Sequence, residues 1–277
     1  MPDPLLLLVL GTGVGLIMAL TGAGGSIIAV PLLMGVFGWA LPQASAVALA
    51  AVALAAGLGA IQALRQRLVR YRAAILMSVL GLLLVPLGLA LARSLPGDLL
   101  SGLFATVLLI AAARMAHQAL HAPQETTVTP AQLRTEPVRT VMCRLDPGTG
   151  RLTWTSPCAL ALGLAGAFTG LLSGLLGVGG GFVVVPALRW LTDVSISAAV
   201  ATSLLFMALV SGGATLLNLL QPGVLDWALT APFALGALLG MLGGRLVAGR
   251  LSGPHLQLGF AMLLVGVSGS LFWSLTV

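Results

Sequence analysis

The chain has 277 residues, of which 58% are apolar and only 7% charged, against about 25% charged in ordinary soluble domains. Twenty charged side chains, 13 basic and 7 acidic, cannot clothe a soluble fold of this size, and the mean hydropathy of +1.10 points instead to an all-α, polytopic transmembrane bundle. The net charge of +6 and isoelectric point near 11.3 would suit a nucleic-acid partner, but the basic residues stand in short gaps between apolar runs, where membrane topology puts them. No nucleic acid is therefore expected. Every basic residue is arginine, so no P-loop, which needs a lysine after its glycines, is encoded, and no cofactor motif is present. Cys143 and Cys158 form no paired metal or redox motif and read as structural or incidental thiols.

Apolar runs separated by Arg, Pro and Asp set out the chain. The first extends from Pro4 to Gly38 and is interrupted by Thr21-Gly22-Ala23-Gly24-Gly25-Ser26. Met1-Pro2-Asp3-Pro4 lacks the basic start of a signal peptide, so this run reads as the first membrane segment. Runs follow at about Pro42–Leu64, Ala73–Ala92 and Leu99–Leu120, closing a first transmembrane repeat over 1–120. The segment 121–156 is too polar to span and reads as a cytoplasmic connection. A second repeat over 157–277 then opens with Pro157 to Leu191, interrupted at Gly177-Val178-Gly179-Gly180-Gly181. It continues with runs at about Ser197–Leu220, Trp227–Ala248 and His255–Leu275.

The recurrence has one offset. Gly22-Ala23-Gly24-Gly25-Ser26 through Pro31 aligns with Gly177 through Pro186 at a shift of 155, and Ala46, Gly81 and Gly88 meet Ala201, Gly236 and Gly243 at the same shift. Glycines and a proline at fixed spacing identify an internal duplication. Arginine placement orients the halves. Arg65, Arg67, Arg70 and Arg72 crowd one gap, which belongs inside, and the middle segment with Arg134, Arg139, Arg144 and Arg151 lies two spans further on. In the second half the bias moves to the next gap, at Arg245 and Arg250. An inverted second repeat leaves only Arg93 outside; parallel repeats would also put Arg189, Arg245 and Arg250 there. Inversion needs an odd number of crossings per repeat, so each 35-residue opening run is expected to be a glycine-split helical hairpin. As one straight helix it would be about 52 Å long, too long for a ~30 Å hydrocarbon core. One broken, tilted span per half, giving eight spans, is the rival.

Interrupted apolar segments at matching positions of two halves mark a transporter site near the bilayer midplane. Glycines let the backbone leave the helix, its N–H groups must find a partner that lipid cannot supply, and the next half-helix presents a positive end to an anion. The expected site is Gly22, Ala23, Gly24, Gly25 and Ser26 with Gly177, Val178, Gly179, Gly180 and Gly181, with Pro31 and Pro186 shaping or ending each half-helix. Tight helix packing is the other role for glycine in a membrane, and it is assigned to Gly11, Gly13, Gly15, Gly57 and Gly59. Thr202 and Ser203 either complete an oxyanion shell or bond their own helix backbone; Val47-Ala48 hold the aligned positions, with Ser45 close by. Gln62, Thr169, Ser173 and Asn218 read as helix–helix contacts, and Asp98 and Asp226 as caps. His117 and His121, four apart and near Arg114, are too few for a metal site. With no carboxylate clearly at mid-span, proton coupling, if used, falls to an end residue or to the substrate.

Two copies of Gly-x-Gly-Gly-(Gly/Ser) followed by an apolar stretch and Pro, with Ala201-Thr202-Ser203-Leu204 after the second, resemble the sulfite exporter TauE/SafE family of membrane transporters from about Gly13 to Ser274. The resemblance implies a bacterial inner-membrane, multi-pass permease for sulfur-containing anions such as sulfite and sulfonates, and not an enzyme. The motif matches at Gly22, Gly24, Gly25, Gly177, Gly179, Gly180, Thr202 and Ser203, and Val47-Ala48 depart from the hydroxyl pair often found in the first half. The expected partners are a small anion, the lipid bilayer, protons as a candidate coupling ion, and a further copy of the chain in a homo-oligomer. A passive anion channel, a permease for a non-sulfur anion, a membrane enzyme and a subunit docking through 121–156 are the alternatives.

Overall fold

The computed structural model describes residues 3–21, 25–120, 143, 154–220, 225–251, 262 and 265–269. Nine helices occupy them: α1 (Pro4–Thr21), α2 (Gly25–Phe37), α3 (Leu41–Arg65), α4 (Tyr71–Ser94), α5 (Gly97–Leu120), α6 (Ser156–Leu176), α7 (Gly181–Leu191), α8 (Ile196–Leu219) and α9 (Trp227–Leu251). Among the described residues seven are long and apolar enough to cross a membrane, while α2 and α7 are shorter. The last expected run, His255–Leu275, lies mostly outside the described residues. Within it, Ser268 is buried and its hydroxyl donates to the Ala105 carbonyl of α5 at 2.9 Å.

The helices turn apolar faces outward. Leu5, Leu83, Leu160 and Leu246 are at least 66% exposed, which lipid accepts and water does not. Inside, α3 is the central helix, with most of its apolar length buried. Ala48, Ala51, Ala55 and Ala56 are fully buried, because small side chains let helices approach closely where no hydrophobic effect drives them together. Along α3 lies α8, in the opposite sense: Gly57 faces Ala208, Gly59 meets Leu204, and Ala63 packs with Ala201.

Two parallel pairs flank this centre. Leu8, Thr12 and Leu16 of α1 lie on Gly236, Gly240 and Gly244 of α9, and Met77, Gly81 and Val85 of α4 lie on Gly166, Gly170 and Gly174 of α6. Gly11 and Gly15 take the packing role expected of them, against Phe233, Ala237 and Met241 of α9, and Gly59 closes on Met241. Gly13 does not: nothing lies within 4 Å of where its side chain would be.

Cys143 and Cys158 are joined in a disulfide, Cα to Cα 5.3 Å. The Cys143 N–H also donates to the Leu191 carbonyl at 2.9 Å. One residue of the middle segment thus ties the start of α6 to the end of α7, so these helices run back along each other as a hairpin.

Candidate functional site

The second glycine break is a fold-back. Thr155 caps α6, accepting from the Cys158 N–H at 3.4 Å. The helix ends at Gly177, whose N–H donates to the Ser173 carbonyl at 2.9 Å. Gly177, Gly179 and Gly180 have φ of +71°, +69° and +72°, a region that costs a side-chain-bearing residue about 1–2 kcal/mol. Space excludes side chains too. A Cβ on Gly177 would fall on Ser45 of α3, and one on Gly180 would fall on the Thr169 methyl of α6. Val178 is buried. With Gly180 as N-cap, α7 starts without a side-chain cap, and the Gly180 carbonyl accepts from Val183 at 3.1 Å and Val184 at 3.3 Å. The positive end of α7 therefore begins beside Thr169, part-way along α6.

The first break repeats this. Gly22, Ala23 and Gly24 lie outside the described residues, as does the Ser26 side chain. Gly25 opens α2, and a Cβ there would come 2.6 Å from the Val14 carbonyl of α1. Val14 and Gly25 are the counterparts of Thr169 and Gly180 at the 155 shift, so both half-helices start against the body of the preceding helix. They touch each other as well. Pro31 and Pro186 lie inside α2 and α7, so they shape the half-helices rather than end them.

The hydroxyls of α8 bond locally. Thr202 Oγ1 donates to the Ala198 carbonyl at 2.6 Å and accepts from the Arg70 N–H at 3.0 Å, while Ser203 Oγ donates to the Val200 carbonyl at 2.8 Å. Both side chains are buried. The α8 atom closest to a side chain placed on Gly180 is Phe206 Cε1, at 3.4 Å, one turn beyond Ser203. Thr202 thus joins α8 to the arginine-rich turn before α4, and neither hydroxyl is seen against the glycines.

Two further groups lie at the break: Ser173, read from the sequence as a helix–helix contact, and Ser45, noted there only as a hydroxyl close to Val47-Ala48. Ser173 is fully buried and its hydroxyl has no hydrogen-bond partner. It lies one turn from Thr169 and one from Gly177, so all three share the α6 face turned to the fold-back. Ser45, beneath Gly177, lines a cavity of about 230 Å³ with Arg93, Asn218 and Gly174. The sequence signal for Ser45 was its place beside Val47-Ala48, the positions aligned with Thr202 and Ser203. Arg93 was visible only as the arginine on the less basic side.

Elsewhere the polar groups are structural. Arg245 of α9 donates to Gln62 Oε1 at 2.9 Å and to the Gly59 carbonyl at 3.0 Å, both on α3. Thr169 donates to the Ala165 carbonyl. Asp226 Oδ1 accepts from the Ala228 N–H at 2.9 Å as a cap, and Asp98 lies in the first turn of α5. The Arg114 guanidinium stacks over Trp190 at 5.0 Å, and His121 lies outside the described residues. No three His, Cys, Asp or Glu side chains among the described residues are grouped to hold a metal.

The model of the sulfite exporter TauE/SafE family matches residues 7–271, nearly the whole chain. The chain belongs to the sulfite exporter TauE/SafE family. Similar curated relatives are a probable membrane transporter protein of Xylella fastidiosa strain 9a5c, 31% identical over 277 residues, and one of strain Temecula1, 30% identical over 275 residues. Each alignment covers 97% of this chain and 95% of the relative. No solved structure matches. This TauE/SafE protein is thus a multi-pass membrane transporter by family, with a small-molecule substrate and a bilayer as its surroundings. Its relatives are transporters rather than enzymes.

Proposed function

We propose that this chain is a permease of the bacterial inner membrane that exports small sulfur-containing oxyanions, such as sulfite or organosulfonates, by alternating access. The observation that carries the reading is the pair of half-helices, α2 and α7, that begin at Gly25 and Gly181 against the bodies of α1 and α6 and touch one another. Helix N-termini turned inward in this way replace the hydration of an anion. The site is Gly22–Ser26 and Gly177–Gly181, to which the unpartnered Ser173 hydroxyl adds a donor, while Thr202 and Ser203, bonded within α8 and to the arginine-rich turn, fall outside it. The two repeats, 1–120 and 157–277, are related by inversion. In support, exchanging the halves turns the α1–α9 pair into α6–α4, and the α3–α8 pair maps onto itself in its antiparallel sense. Rocking one repeat against the other around the breaks alternates access.

Purified protein in liposomes on a solid-supported membrane tests this. Saturable currents are expected for sulfite or a sulfonate, and not for chloride, with a proton gradient revealing any coupling. Replacing Gly24 or Gly179 by a bulky residue should abolish the current while the protein remains folded in the membrane. Unchanged currents in both variants remove the site. Flux without saturation or counterflow makes the chain a passive channel, and saturation by a non-sulfur anion alone changes the substrate.

A further inference from the structure

Two polar ties join residues 1–120 to residues 157–277 at the arginine-rich end of the bundle. In the first, the Arg245 guanidinium of α9 reaches two acceptors on one face of α3: Nη1 donates to Gln62 Oε1 at 2.9 Å and Nη2 to the Gly59 carbonyl at 3.0 Å. In the second, Thr202 Oγ1 of α8 accepts from the Arg70 N–H at 3.0 Å, at the start of α4. Gly59 serves the first tie by lacking a side chain. A Cβ there would fall on the Met241 methyl and lie 3.5 Å from Arg245 Nη2. Leu204 Cδ1 is 3.3 Å from the same point, and Leu204 is buried, so this leucine of α8 sits beneath the clasp.

The 155-residue recurrence does not carry these ties to the other end. At that shift Arg245 corresponds to Ala90, Gln62 to Leu217, Gly59 to Ala214 and Thr202 to Val47, and none of the four counterparts has a polar side chain. Inverted repeats with matching contacts would open at either end with equal free energy. Bonds made at one end alone remove that equality and favour the arrangement closed there. The chemistry of the first tie also suits repeated use. A guanidinium makes stronger hydrogen bonds than a neutral donor, but both of its acceptors here are neutral, so the clasp lacks the attraction of an ion pair. Arg245 is only part-buried, and water at an opened mouth replaces the bonds it gives up.

We propose that the Arg245–Gln62–Gly59 clasp, together with the tie between Thr202 and Arg70, is the latch of a gate at the arginine-rich end. It holds α8 and α9 onto α3 and α4, keeps that end closed at rest, and releases before an anion passes there. The latch rests on the reading of the chain as a permease that rocks between two arrangements. Gln62 and Arg245 act on that equilibrium and not on the anion, so replacing them changes which end is open.

Maleimide labelling of the full chain in detergent tests the latch without requiring transport, with Cys143 and Cys158 held in their disulfide. Leu204→Cys reports on the arginine-rich end, and Ser45→Cys, half-buried near the start of α3, reports on the other. Adding Arg245→Ala should speed labelling of Leu204→Cys at least about fivefold and slow that of Ser45→Cys at least about twofold, as the population moves from one arrangement to the other. Gln62→Glu, which offers Arg245 a carboxylate, should slow labelling of Leu204→Cys at least about twofold. The latch is overturned if Arg245→Ala leaves Leu204→Cys labelling unchanged, if it speeds both reporters, which is lost packing and not a shift, or if Gln62→Glu does not slow it. Sulfite flux into proteoliposomes separates the latch from the permease reading. Opposite shifts at the two reporters without flux end the sulfite permease and leave the latch; saturable flux in a chain whose reporters do not respond ends the latch and leaves the permease.

Discussion

Thr202 illustrates what a buried hydroxyl does when lipid surrounds the fold. Its proton goes to the Ala198 carbonyl and its oxygen accepts the part-buried Arg70 N–H. Valine keeps the shape and removes both bonds. Thr202→Val should therefore lower stability by about 1–3 kcal/mol, the cost of leaving a buried donor unpaired, while Thr202→Ser should retain most of it. The thermal unfolding midpoint in detergent measures this, and a midpoint unchanged by valine would show that Arg70 finds another acceptor. The contrast with Ser173 is instructive, since both residues are buried in helices and only Ser173 has a free hydroxyl. Sequence could name both as polar residues in apolar spans; which one is satisfied depends on a neighbour 132 residues away in the case of Thr202.

Between helices, glycine acts through position and not abundance. Gly240 and Gly243 lie three residues apart on α9, yet a Cβ on Gly240 would run into the Thr12 carbonyl of α1, while one on Gly243 would meet nothing within 4 Å. Gly240→Val should push α1 from α9, at about 1–3 kcal/mol for overpacking, and reduce the folded, monodisperse fraction. Gly243→Val should elute as wild type does. Fluorescence-detected gel filtration of both variants decides it, and equal behaviour would mean that the α1–α9 contact is looser than described. The spans that fall among the described residues were legible within a few residues, because lipid demands about 20 apolar residues per crossing. Composition made Gly13 and Gly15 equivalent; only the position of α9 separates them.

Across the whole molecule, the charge bias and the crosslink bear on the same end. Arg65, Arg67, Arg70 and Arg72 border the α3–α4 turn, and the Cys143–Cys158 bond lies at the same end, where α6 begins parallel to α4. Positive residues favour the inside, whereas disulfides persist in oxidising compartments. Four arginines in one turn should prevail. A reporter inserted in 66–70 is expected to be cytoplasmic and one at 95–96 external. In cells quenched with acid, Cys143 and Cys158 should then be alkylated as thiols, and the bond should form in purified, air-exposed protein. An external reporter at 66–70 would reverse the orientation and make the disulfide constitutive.

Composition alone determined that the chain lives in a membrane, since 7% charged residues cannot form an aqueous surface. The sequence also located the spans, the two glycine interruptions and the 155-residue recurrence, because these are local or periodic properties. Tertiary structure decided the rest. It folded α7 back along α6, paired Cys143 with Cys158, set Gly177 on Ser45, and brought Arg93 and Asn218 to one cavity from positions 125 apart. Contacts between distant helices depend on which faces meet and in what register, and in a chain built largely of Leu, Ala, Val and Gly nearly every face looks alike until the helices pack.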